Sequence, residues 1–170
     1  IAVTKVTNQE DLAKIALYAK LWNVRLVAVK KLTDQSTLAQ VVSKDAMIEV
    51  RVAAIHNLTE QAFLAQTALY NECVDLRISA AAKLSDQSVL EQLVSTDKDS
   101  LVRRTALKNL TNQSVIAKTA IQDADDSIRV KAVSRLTDEA ALSKAALEAN
   151  DWYIRLVASS DRRTYSSLKP

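Results

Sequence analysis

The sequence predicts an all-α fold: an α-solenoid in which about six copies of a 26-residue, two-helix unit stack into a superhelix. First, the chain of 170 residues contains no Gly and one Pro, Pro170, whereas β-hairpin turns depend on Gly. Second, the apolar fraction of 48% includes few aromatic residues (Trp 2, Tyr 4, Phe 1), so the core consists mainly of Ala, Val, Leu and Ile, which suits short, closely packed helices. Third, the dipeptide [V/I/L]-R recurs at a constant interval of 26 residues.

The repeat is defined by several positions at once. In every copy an Ala follows the Arg by three residues, and in five copies a Leu-Thr or Leu-Ser pair begins seven residues after the Arg. We therefore predict a single solenoid domain over residues 1–170, in which residues 1–23 are the trailing part of an earlier unit. A start at Ile1 is consistent with a domain excised from a longer chain. The units begin near residues 24, 50, 76, 102, 128 and 154, at Val24-Arg25, Val50-Arg51, Leu76-Arg77, Val102-Arg103, Ile128-Arg129 and Ile154-Arg155.

The pattern of each unit predicts two short helices. The first, which we call the Arg helix, runs through VRxxAxxxL, with apolar residues four apart such as Val24, Ala28 and Leu32. The second, which we call the Gln helix, opens at Thr-Asp-Gln or a close variant, with Thr33 or Asp34 as its N-cap. Helices of about ten residues are marginal in isolation, so we expect stacking of unit on unit to stabilise them.

The string D-x-x-x-x-[V/I/L]-R-x-x-A, as in Asp45 to Ala54 and Asp97 to Ala106, resembles the second helix of HEAT-like repeats. The short period and the L-T-D-Q turn are similar to those of the leucine-rich repeat variant, and the resemblance covers residues 2–158. It implies a curved helical array that binds macromolecules, with the Arg helices lining the concave side. HEAT units usually run longer, and the variant family usually has Pro in its turns. The sequence therefore leaves open whether the Gln segment is α-helical or partly 3₁₀.

Two sets of recurring polar residues are expected to join the units. Each Arg lies within the apolar arc of its helix, where a charge must be paired, and Asp recurs at one loop position. The Gln lies within the apolar arc of its own helix, where amides can bond to one another or to turn carbonyls. Binding of phosphate groups by the arginines is the less favoured alternative. The predicted structural ladder comprises Arg25, Arg51, Arg77, Arg103, Arg129, Arg155, Asp45, Asp97, Asp123, Gln35, Gln61, Gln87 and Gln113.

A third set predicts a binding surface. The exposed side of the Arg helices is expected to carry a basic stripe without Asp or Glu, which would attract an acidic partner. Alternatively, these cations offset the helix dipole in the last turn of each Arg helix. The predicted stripe comprises Lys30, Lys31, His56, Lys83, Lys108, Lys131 and Arg135.

The composition disfavours catalysis. With one His, His56, and one Cys, Cys73, we expect neither a His- or Cys-based metal site nor a Ser/His/Asp triad, and without Gly the chain has no Gly-rich phosphate loop. We expect a protein that is not an enzyme and that uses no metal or cofactor. The single Cys favours a reducing, cytoplasmic location. Because the sequence has no apolar run of membrane-spanning length, we expect no membrane partner.

The leading functional hypothesis is a non-catalytic scaffold that recognises a protein or peptide, with an acidic partner favoured, on the concave face. The alternatives are binding of a nucleic-acid backbone through the basic stripe, and a structural spacer. A net charge of only +1 over residues 1–160, where 20 basic residues face 19 acidic ones, and the lack of aromatic residues interleaved with the basic ones disfavour nucleic acid. Ends without polar caps favour end-to-end self-association.

Overall fold

The computed structural model describes residues 3–160, and the ends of the predicted domain, residues 1–2 and 161–170, lie outside the described residues. Within residues 3–160 there are twelve α-helices, one short 3₁₀ helix at Val3–Lys5 and no strand, so the predicted all-α class is confirmed. The Gln helices are α1 (Gln9–Tyr18), α3 (Gln35–Lys44), α5 (Gln61–Tyr70), α7 (Gln87–Thr96), α9 (Gln113–Gln122) and α11 (Glu139–Glu148). The Arg helices are α2 (Trp22–Val29), α4 (Ile48–Asn57), α6 (Val74–Ala81), α8 (Ser100–Asn109), α10 (Asp126–Val133) and α12 (Trp152–Ser160).

The chain divides into two compact units between Leu84 and Ser85. In the N-terminal unit, α1–α2, α3–α4 and α5–α6 form hairpins; α2, α4 and α6 pack side by side in one layer, and α1 packs on α3 in the other. In the C-terminal unit, the hairpins are α7–α8, α9–α10 and α11–α12, with α8, α10 and α12 in one layer and α7, α9 and α11 in the other. Each unit therefore has the stacked-hairpin packing of an α-solenoid, as the sequence predicts.

The hairpins combine the Gln helix of one predicted repeat with the Arg helix of the next. A loop of three residues, such as 45–47 between α3 and α4, joins the two helices of a hairpin. The Gln segments form regular α-helices of ten residues, which answers the question that the sequence left open. Asp34 is the N-cap of α3, because its carboxylate accepts a hydrogen bond from the Thr37 N–H, whereas Thr33 lies outside the helix.

A row of small residues is buried along the Arg helices. The Ala that follows each Arg by three residues is fully buried in all six Arg helices. The Leu of each Leu-Thr or Leu-Ser turn is buried beside it, at no more than 3% exposure. Because Ala presents a single methyl group, the helices approach closely at this row. The buried alanines are Ala28, Ala54, Ala80, Ala106, Ala132 and Ala158.

No helix within residues 3–160 has both the length and the apolar character that a membrane span requires, since the longest α-helices have ten residues.

The alanine row predicts a steric test. Ala106→Leu forces extra methylene groups into a fully buried site, and we expect a loss of about 1–3 kcal/mol in the free energy of unfolding, measured by urea denaturation. Ala140→Leu, which places the same side chain at an exposed position of α11, is the matched control and should change stability by less than about 0.5 kcal/mol. Equal effects of the two substitutions would contradict close packing at the alanine row.

Candidate binding surface

Arg25 and Arg103 connect successive hairpins. Arg25 donates from Nε and Nη2 to the two carboxylate oxygens of Asp45, at 2.6 and 2.9 Å, and from Nη1 to the Ala19 carbonyl, at 2.8 Å. It therefore holds the end of α1 in its own hairpin and the end of α3 in the next. Arg103 makes the same contacts with Asp123, at 2.9 and 2.8 Å, and with the Asp97 carbonyl, at 3.1 Å.

These two ion pairs are largely shielded from solvent. The side chains of Asp45 and Asp123 are only 5% and 4% exposed. Burial by itself would raise the pKa of Asp45, but hydrogen bonds from Arg25 and from the Met47 N–H, with the attraction of Arg25 and Arg51, hold that pKa below its ordinary value. The carboxylate is thus stabilised in its ionised form.

The arginines at the position of Arg25 and its equivalents, which we call the Arg row, use other acceptors where the usual Asp is missing. The position equivalent to Asp45 carries Asn71 in the next repeat, and Arg51 donates instead to the Val42 carbonyl, at 2.6 Å. It carries Ala149 in the last repeat, and Arg129 pairs with Asp151, at 3.1 Å, and with Asp126 of its own helix, at 2.6 Å.

The remaining members of the Arg row bind the end of the preceding Gln helix. Arg77 donates to the Asn71 carbonyl and Arg155 to the Ala149 carbonyl, at 3.0 and 2.7 Å. Asp97 accepts a hydrogen bond from the Asp99 N–H, at 2.9 Å.

The glutamines join the turns of successive repeats through bonds to backbone groups. Gln35 donates to the carbonyl groups of Thr33 and Asn57, at 2.9 and 3.3 Å, and accepts from the Thr59 N–H, at 2.7 Å. Gln87 repeats the pattern with Ser85, Asn109 and Thr111. Gln61 donates to the Lys83 carbonyl, at 3.2 Å, and Gln113 accepts from the Thr137 N–H, at 2.7 Å.

Three residues of the predicted basic stripe are also engaged in contacts between repeats. Lys31 donates to the carbonyls of Thr4 and Val6, Lys83 to that of His56, and Arg135 to that of Leu110, at 2.7 Å. Each acceptor belongs to the turn or helix end one repeat earlier, and burial lowers the pKa of Lys83. Asn57 fills the same position in α4 and bonds the carbonyls of Val29 and Leu32. These three cations therefore tie the repeats together.

The other four residues of the stripe face solvent. Lys30, His56, Lys108 and Lys131 are exposed, and within residues 3–160 their side chains form no hydrogen bond or ion pair. Lys30, His56 and Lys108 share one repeat position and Lys131 is equivalent to Val27, whereas Lys31, Lys83 and Arg135 share the position that follows Lys30. Lys30 and Lys31 point about 100° apart around the helix axis. The side of the Arg helices that carries the four exposed residues, which we call the Arg-helix face, consists of the positions of Asn23, Leu26, Val27 and Lys30 and their equivalents at intervals of 26 residues.

The Arg-helix face includes charged residues that the sequence analysis missed. Arg104 occupies a position that is Leu, Val or Ile in every other Arg helix, and it is exposed. Glu49 and Asp75 are exposed on α4 and α6, so the face is not free of acids. The signal for Arg104 was present in the sequence, because it alone interrupts an apolar column of the repeat.

No protein-family model matches the chain, and no curated protein or solved structure matches it either. Within residues 3–160, no three His, Cys, Asp or Glu side chains are grouped so that they could hold a metal ion.

The shielded ion pair on α8 predicts a large effect of one carboxylate. Asp123→Asn leaves the buried guanidinium of Arg103 without its counter-charge, and we expect a loss of about 2–4 kcal/mol in the free energy of unfolding. Glu148→Gln, an exposed carboxyl in the same unit, is the control and should change stability by less than about 0.5 kcal/mol. A loss no larger than that of the control would show that the pair does not join the hairpins.

The lowered pKa of Asp45 predicts a dependence of stability on pH. Because the folded pKa lies below the ordinary value of 3.8, this carboxylate stabilises the protein above that pH, and its contribution disappears as the pH falls through the folded pKa. The stability difference between wild type and Asp45→Asn, measured by denaturant unfolding, should therefore be smaller at about pH 2.5 than at about pH 6. A difference that stays constant over this range would contradict the ionic contribution.

Proposed function

We propose that the protein is a non-catalytic scaffold that recognises a protein or peptide on its Arg-helix face. The observation that supports this is the division of its polar side chains. The Arg row and the glutamines at the position of Gln35 and its equivalents (the Gln row) are engaged in bonds between repeats, as are Lys31, Lys83 and Arg135. In contrast, Lys30, His56, Lys108 and Lys131 remain exposed. A surface of exposed cations beside exposed apolar side chains suits contact with another macromolecule.

The resemblance to HEAT-like repeats and the leucine-rich repeat variant supports the same proposal, because helical arrays of that kind bind macromolecules. Within residues 3–160, the Arg-helix face carries a single His, His56, and no Cys. We therefore propose binding without catalysis.

The test is a comparison of three forms of the chain as baits in a nuclease-treated lysate. The face variant carries Lys30→Glu, Lys108→Glu and Lys131→Glu, all at exposed positions that bond to nothing within residues 3–160. The control variant carries Lys44→Glu, Lys118→Glu and Lys144→Glu on the Gln helices, which are exposed and change the net charge equally.

We expect wild type and control to retain the same proteins and the face variant to lose them by at least about tenfold, because reversed charges repel an acidic partner. Retention of the same proteins by all three forms, or by none, would contradict recognition on this face and would favour a structural spacer. Circular dichroism of each variant verifies that the helices are intact.

A further inference from the structure

The Arg-helix face differs in charge between the two units. In the N-terminal unit it carries Lys30 together with the acids Glu49 and Asp75. In the C-terminal unit the corresponding positions of α8, α10 and α12 carry Arg104, Lys108 and Lys131 and no Asp or Glu. Attraction of an acidic partner is therefore concentrated on the C-terminal unit.

The three cations lie within reach of one ligand. Arg104 and Lys108 are one helical turn apart on the same side of α8. Lys131 is on α10, which packs directly against α8, and adjacent helix axes lie about 8–10 Å apart. All three side chains are exposed, and none forms a hydrogen bond or ion pair within residues 3–160. Their donors are therefore available to a ligand.

Exposed apolar side chains lie beside these cations. Leu101 is 53% exposed on α8, Val130 is 38% exposed on α10, and Leu156 is 54% exposed on α12. Val130 and Leu156 occupy the same repeat position as Arg104, so the three form one row across the layer. Large apolar side chains that remain in water next to unpaired cations indicate a surface that a partner covers.

We infer that the Arg-helix face of the C-terminal unit binds an acidic, amphipathic protein segment, whose carboxylates contact Arg104, Lys108 and Lys131 and whose apolar side chains cover Leu101, Val130 and Leu156. This inference rests on the proposed function, and it names the chemistry of the partner and the unit that holds it. Arg104 contributes a fork of donors that matches a carboxylate in two bonds, while the two lysines act as point charges.

A nucleic acid fits the same surface less well. Its backbone offers charge but nothing to cover the apolar row, so Val130 and Leu156 would stay in water. Within residues 85–160, the aromatic side chains that could stack on bases are Trp152 and Tyr153 on α12, which contact each other edge to face at 5.9 Å. The cations lie on α8 and α10, so the aromatic residues are not interleaved with them.

The inference can be tested with a random peptide library displayed on phage, with the whole chain as bait. The face variant carries Arg104→Glu, Lys108→Glu and Lys131→Glu. The charge-matched control carries Lys98→Glu, Lys118→Glu and Lys144→Glu, which are exposed residues of the same unit that lie off the Arg-helix face. A third variant, Val130→Ser with Leu156→Ser, removes the apolar row and leaves the charge unchanged.

We expect wild type and control to enrich peptides that combine Asp or Glu with large apolar residues. The face variant and the apolar variant should each bind the enriched peptides at least about tenfold more weakly in fluorescence titrations. Lys44→Glu, at an exposed position of the N-terminal unit that lies off the Arg-helix face, should leave their affinity unchanged.

Three results would overturn the inference: no enrichment on wild type, enriched peptides without an excess of acidic and apolar residues, or equal binding to the face variant. Tighter binding of a single-stranded oligonucleotide of about 20 nucleotides than of the enriched peptides would also overturn it, in favour of nucleic acid. If the lysate experiment succeeds and the library does not yield acidic peptides, only this inference fails. If both fail, the scaffold proposal fails as well.

Discussion

The structure depends on burial between helices that are too short to be stable alone. Each α-helix has eight to ten residues, a length at which an isolated helix is marginal in water. Stability must therefore come from packing one hairpin on the next, through the fully buried Ala row and the Leu of each turn. Close packing also brings helix ends together, and their free carbonyl and amide groups then need partners from a neighbouring repeat. The polar rows of this protein satisfy that requirement.

The Arg row combines ion pairing with hydrogen bonding to backbone carbonyls. Arg25 and Arg103 have Asp partners, whereas Arg51 uses the Val42 carbonyl where the sequence supplies Asn71. A guanidinium among apolar side chains must fill its donors, and a carbonyl oxygen can accept such a bond in place of a carboxylate. A carbonyl satisfies the donor but does not supply the counter-charge that Asp45 and Asp123 provide.

The contacts between repeats also determine which basic side chains are available to a partner. Adjacent residues at the end of an Arg helix have different roles, since Lys30 faces solvent while Lys31 holds the carbonyl of Val6. A basic residue near a helix end is therefore available to a partner only if its own repeat position faces outward. This distinction moves the centre of the candidate binding surface to α8 and α10, where Arg104, Lys108 and Lys131 are exposed.

The sequence alone determined the all-α class, the 26-residue period and the two helices of each repeat, because periodicity and the absence of Gly are local properties of the chain. It also singled out the Arg and Gln rows, since a polar residue within an apolar arc needs a partner. Only the tertiary structure decided which Gln helix forms a hairpin with which Arg helix, and which acceptor each arginine uses. It also decided that Lys31, Lys83 and Arg135 bond to the preceding repeat while Arg104 stays exposed. Many of these outcomes depend on distances between residues 20 or more positions apart, such as the 25 that separate Arg135 from Leu110, and no local pattern encodes such distances.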